Sequence, residues 1–197
     1  RDIVVSGGSG NDTMTVQNAS IGRSLFVSGG AGNDIIGASS VTTGRDLYII
    51  GGAGNDDILV DASTVGVDTR ISGLGGDDDI IVRNSTLSDD VTIAGHSGQD
   101  IIMLDGARVG DKTLLLGGRG ADNIIVQGSS QFFDLVRTFG GSGGDNFEAV
   151  AGVVFDGLRR RSFSGFVADT ATIQTRIYDA TNGAIALVEA AVTAANP

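Results

Sequence analysis

The sequence holds no cysteine, no tryptophan, one proline and one histidine in 197 residues. Without cysteine, disulfides and thiolate metal centres are both excluded, so any cross-link between segments has to be a metal held by oxygen ligands, or ordinary burial. Glutamate is nearly absent as well: of the 24 acidic residues only Glu148 and Glu189 are Glu, and the rest are Asp. A charge carried for solubility alone draws on both types, so the chain selects the short carboxylate. No run approaches the roughly 18 apolar residues of a membrane span. The net charge of −11 repels nucleic acid and makes cations the natural partner. The chain opens with Arg1-Asp2-Ile3-Val4-Val5, already in strand pattern and without a signal peptide, and so reads as a piece of something longer.

What is abundant is glycine, 32 residues of it, and it recurs at fixed intervals, the signature of a repeat architecture. GGSGND begins at Gly7, GGAGND at Gly29 and Gly51, GLGGDD at Gly73, GHSGQD at Gly95, GGRGAD at Gly117 and GGSGGD at Gly140. The intervals are 22 residues five times and then 23. The sixth position is Asp in all seven copies: Asp12, Asp34, Asp56, Asp78, Asp100, Asp122 and Asp145. The fifth position drifts through Asn11, Asn33, Asn55, Asp77, Gln99, Ala121 and Gly144.

Two residues beyond each Asp stands Met14, Ile36, Ile58, Ile80, Ile102, Ile124 or Phe147, and two further on Val16, Ala38, Val60, Val82, Leu104, Val126 or Ala149. That alternation is the period of a strand with one buried face. A second alternating pair occupies Leu25 and Val27, Leu47 and Ile49, Thr69 and Ile71, Val91 and Ile93, Thr113 and Leu115. Turns with Gly22, Gly44, Gly66 and Gly110 lie between. Two short strands per 22-residue coil, stacked about 4.8 Å apart, bury a ladder of identical side chains that no single coil can bury alone. The expected fold is all-β: a right-handed parallel β-solenoid (β-roll or β-helix), with about seven coils over residues 1–149 and a degenerate last coil and cap over 150–197. Ile3 and Val5 fall in register with Leu25 and Val27, so the chain begins midway through a coil whose open edge invites stacking on a further repeat or chain, end to end. Gly165–Asp169 followed by Ile173 reads as a worn eighth turn and strand. Ile185, Val188 and Val192 are at helical spacing, with Asn182 as a cap, and predict a short C-terminal helix.

Stacking places the position-six carboxylates in one file, where neighbours repel by roughly 1 kcal/mol in water-like surroundings and by more near the protein. Cations between the coils convert that repulsion into coordination, each taking carboxylates from two coils and carbonyls from the glycine turns. The competing expectation is an Asp that only accepts backbone amide hydrogen bonds in its turn.

GGSGNDTMT, GGAGNDIIG and GGAGNDDIL resemble the glycine-rich nonapeptide of the RTX, or haemolysin-type, calcium-binding family, GGxGxDxUx with U a large apolar residue. GGRGADNII and GGSGGDNFE also fit, whereas Leu74 and His96 replace the second glycine in two copies. The resemblance implies calcium held by the Asp file, by the carbonyls of Gly7, Gly29, Gly51, Gly73, Gly95, Gly117 and Gly140, and by the neighbours Asn11, Asn33, Asn55 and Asp77. It implies about five or six ions in one file, since seven motifs leave six intervals. It further implies a secreted or cell-surface bacterial protein with a structural or adhesive role. RTX rolls carry the nonapeptide on both sides of an 18-residue coil, whereas this chain has one motif per 22 residues, which speaks for a single-sided variant.

Other residues fit catalysis poorly. His96 and Lys112 stand alone in sequence, Tyr48 and Tyr178 are the only tyrosines, and no enzyme is expected, a non-catalytic remnant of a polysaccharide-active β-helix being the nearest alternative. Ser20, Thr42, Thr64, Thr86 and Ser130, interrupted by Arg108, suggest a hydroxyl file of the kind that binds ice or a glycan. Arg159-Arg160-Arg161 is one basic patch in an acidic chain, either a solvated surface or a contact to a polyanion. The glycosylation-type triplets at Asn11, Asn18 and Asn84 decide nothing.

Overall fold

The computed structural model describes residues 1–150 and 152–161, and beyond them the backbone of Thr172–Asp179 and Ala184–Ala191. The chain is an all-β parallel solenoid of about seven turns with 22-residue coils. A coil begins with a long strand such as Leu25–Ala31 or Thr69–Gly75, turns through the glycine-rich motif, and continues as a middle strand such as Ile35–Ser39 or Asp79–Arg83. These are the two alternating segments expected from the sequence. A third strand of two residues, such as Thr42–Thr43 or Thr86–Leu87, closes each coil.

All three walls stack in parallel with residue n opposite n+22: Thr69 faces Val91, Asp79 faces Ile101 and Thr86 faces Arg108. Identical positions therefore fall on one another, and the core is a set of files. Ile36, Ile58, Ile80, Ile102, Ile124 and Phe147 form one, and Leu25, Leu47 and Val91 belong to another, all essentially without solvent contact. The middle wall also carries a second apolar stripe on its outer face, Leu59, Ile81, Met103 and Ile125, and it too is buried. Runs such as Ile80-Ile81-Val82 belong to a strand covered on both sides, and Thr172–Asp179 comes within contact distance of Asp57–Asp61 on this wall.

The 23-residue interval is absorbed in the seventh coil. There the short and long strands fuse into the single strand Gln131–Ser142, which bridges two walls. Val154–Arg161 then pairs in parallel with that strand, and Phe155 stacks on Phe132 with ring centroids 5.1 Å apart.

One expectation is corrected. Ala184–Ala191 is a strand, paired antiparallel with Thr172–Asp179 through Ile173 opposite Ala190 and Tyr178 opposite Ile185. A helix there rests on the spacing of Ile185, Val188 and Val192 and on alanine's preference, and a β-branched partner strand offering a full ladder outweighs both. No helix occurs among the described residues. The expected eighth turn at Gly165–Asp169 and the cap at Asn182 lie outside them.

Candidate metal site

The seven position-six carboxylates form one file along the glycine-rich corner, as the repeat requires, and they turn inward. Asp34, Asp56, Asp78, Asp100, Asp122 and Asp145 are buried and Asp12 is half-buried. The six from Asp34 to Asp145 each accept, through Oδ1, the amide N–H of the Asp one coil earlier: Asp12 N to Asp34 at 2.8 Å, and so on to Asp122 N to Asp145 at 3.1 Å. The amide that these carboxylates cap lies 22 residues away, not two or three as a local turn would have it.

That bond uses one oxygen. The Oδ2 atoms of Asp12, Asp34, Asp56, Asp78, Asp100 and Asp122 are buried and have no hydrogen-bond partner among the described residues. Each points at the first glycine of its own motif. A Cβ on Gly7 would stand 2.6 Å from Asp12 Oδ2 and 2.7 Å from the Gly29 carbonyl oxygen. On Gly117 it would stand 2.6 Å from Asp122 Oδ2 and 2.5 Å from the Gly140 carbonyl oxygen. The first glycine is thus required for space, whereas the second and fourth have φ values in the left-handed region. Leu74 and His96 take that region without being glycine, at φ 85° and 81°.

Position five makes a separate, outer file. Asn11, Asn33, Asn55 and Asp77 are exposed, and each Oδ1 accepts the amide of the next coil: Asn33 N to Asn11 at 2.9 Å, Gln99 N to Asp77 at 2.7 Å. The inner ladder points to the earlier coil and the outer ladder to the later one. The residues expected as one ligand set are therefore divided: Asp Oδ2 with glycine carbonyls inside, Asn side chains committed to amides outside. An open groove of about 530 Å³ runs along this corner, with Asp34 in its lining beside Asn33, Asn55, Asp57, Asp77 and Asp79.

Burial pushes the inner carboxyls up: Asp78 to about 8, Asp100 to about 7, Asp56 to about 6, and Asp122 in the same direction. The accepted amide bonds pull the other way, and neighbouring carboxylates add to the rise. The partly desolvated carboxyls of Asp56, Asp78 and Asp100 are thereby held near their point of protonation. These residues fit an oxygen-liganded cation in their chemistry: the orphaned oxygens of Asp12, Asp34, Asp56 and Asp122 face the carbonyls of Gly29, Gly51, Gly73 and Gly140 across the places that Cβ atoms would fill.

Two further amide-capping ladders were not apparent from the sequence. Ser63 and Ser85 Oγ take the amides of Val41 and Ser63, and Ser130 takes that of Ala107, at a second corner. Asp2, Asp46 and Asp90 take those of Ser24, Asp68 and Lys112 at a third. Serine or aspartate recurring every 22 residues was the available signal. Ser130 is consequently buried and leaves the surface hydroxyl file. The extra residue puts Gln131 in its place opposite Arg108, so the exposed file is Ser20, Thr42, Thr64 and Thr86.

No protein-family model, no curated protein and no solved structure matches the chain. The fold itself, a parallel β-solenoid of 22-residue coils, is consistent with the RTX-like expectation.

Proposed function

We propose that this chain is a non-catalytic, calcium-stabilised structural segment of the RTX type, acting outside the cell as a spacer or adhesive rod. The observation that carries this reading is the file of six buried, hydrogen-bond-orphaned Oδ2 atoms in an oxygen-only corner. Leaving such groups unpaired is costly, and a divalent cation shared between coils satisfies them while cancelling their repulsion. Millimolar calcium outside cells would make folding conditional on export. The groups an enzyme of this shape would employ are dispersed: Lys112 is held by Asp111 and Asp90, Tyr48 is stacked on Phe26, and His96 stands at the motif edge. The unpaired edge of Ile3–Ser9, among the described residues, is where a further coil would add.

The test is circular dichroism and calorimetry during a calcium titration of chelated protein, with magnesium as control. A saturable rise in sheet signal and Tm, with about five or six ions per chain, is the expected result. A chelated protein already at full stability, unmoved by calcium, would refute the reading and leave the Asp file as amide caps alone.

A further inference from the structure

The last solenoid strand among the described residues, Val154–Arg161, helps to form a cationic hollow in this acidic chain. Arg137, Arg159 and Arg161 lie on the outer face of the long-strand wall: Arg137 pairs in register with Arg159, and Phe139 with Arg161. Neighbouring strands are about 4.8 Å apart, so the three guanidinium side chains rise from adjacent positions of one sheet. With Phe139 they line a concavity of about 300 Å³. The strand alternation sends Arg160 to the other face, where its guanidinium sits 5.7 Å from the Phe147 ring centroid.

Two features mark this cluster. Arg23, Arg45, Arg83 and Lys112 each lie within ion-pair distance of an Asp, and Arg70 and Arg108 lie over aromatic rings, whereas Arg137, Arg159 and Arg161 converge on one hollow that no carboxylate of the described residues lines. In a chain of net charge −11, three converging arginines oppose one another without a carboxylate of the described residues beside them. Phe139 also forms a wall of a second, adjoining hollow of about 400 Å³, with Leu116, Ala94, His96 and Arg119. A cationic cup and a largely apolar cup thus share one half-buried aromatic ring.

We propose that this pair of hollows binds a phosphate or sulfate monoester with an apolar or ring-shaped body. The oxyanion sits among Arg137, Arg159 and Arg161, whose planar forks match its oxygens two at a time. The body lies across Phe139 toward Leu116. A long polyanion is disfavoured, because away from this end it would run along the Asp-lined corners. No Asp of the file lines this hollow, and the assignment stands in the folded chain whether or not that file binds metal.

Titration calorimetry with phenyl phosphate on the whole chain, in calcium and about 0.15 M salt to screen diffuse attraction, tests the assignment. One saturable site is expected, with inorganic phosphate competing more weakly and phenol not binding. Arg137→Gln and Arg159→Gln should each weaken phenyl phosphate tenfold or more with unchanged circular dichroism and Tm, whereas Arg70→Gln, elsewhere on the same wall, leaves it intact. No saturable binding, or equal losses in Arg70→Gln and Arg159→Gln, would overturn the proposal. Competition by short dextran sulfate chains would assign the ester to a polymer end, and its absence to a free monoester; both uphold the site.

Discussion

At the scale of single residues, the glycines of one motif answer to different constraints. Gly29 and its equivalents leave room for a carboxylate oxygen and a carbonyl, whereas Gly30 and Gly32 supply left-handed backbone at φ 118° and 125°. Leu74 holds the position of Gly30 in its own copy at φ 85° and is 41% exposed, so its side chain gains little burial for the strain it carries. Leu74→Gly is expected to raise stability by about 1 kcal/mol, read as a higher urea midpoint at unchanged slope. A lower midpoint would mean that the leucine packs on something that offsets its backbone. The repeat made the position-six Asp plain from the sequence, because a residue held in seven copies while its neighbour drifts is under constraint. The partition of its two oxygens was not legible, since nothing in spacing tells which one an amide 22 residues away will claim.

At the scale of the coil, three corners use one device: a side-chain oxygen takes an amide from the adjacent coil, by Asp and Asn at the glycine-rich corner, Ser at the second and Asp at the third. Corners are where ladder hydrogen bonds lapse, so these contacts supply partners to backbone that would otherwise be stranded. Crowding there has a direct test. Gly51→Ala pushes a Cβ into Asp56 Oδ2 and the Gly73 carbonyl, whereas a Cβ on Gly75 meets nothing within 4 Å. The first substitution should cost roughly 1–3 kcal/mol and the second far less, compared as Tm shifts at saturating calcium. Equal shifts would show that the glycine-rich corner opens to make room. The long strands were legible from alternation and the middle strands from the apolar pair that follows each Asp, but the reading of one buried face failed on the middle wall, where Leu59, Ile81, Met103 and Ile125 fill the outer face as well. The two-residue strands are too short to display any period. The C-terminal strand Ala184–Ala191 was misjudged because alanine and aliphatic residues satisfy helical and extended spacing alike, and its partner decided the outcome.

At the scale of the whole molecule, the carboxyl file makes stability depend on pH in a direction opposite to that of ordinary ion-paired aspartates. The folded-state values of Asp56, Asp100 and Asp78 lie at about 6, 7 and 8, above the ordinary 3.8. Folding therefore favours the protonated form. Their contribution is complete below about pH 4 and is lost as pH rises through 6 to 8. Chelated protein should melt at a higher temperature at pH 5 than at pH 8.5, and calcium should raise Tm most at the alkaline end, as scanning calorimetry at both pH values would show. A Tm of the chelated protein that climbs with pH instead would mean that the file is already neutralised by other means.

The odd interval between Gly117 and Gly140 has a consequence for how such a rod finds its length. Equal coils carry no landmark, and a strand offered the wrong neighbour, one whole repeat away, meets nearly the same apolar residues, the same glycines and the same Asp. A periodic stack can therefore slip, much as a perfect lattice shears along a plane of identical rows. The extra residue, in the turn between Gln127 and Ser130, works as a pinned dislocation. Only the alignment that sets Gln131 on Arg108 and Val136 on Thr113 accommodates it, so the seventh coil indexes the rest.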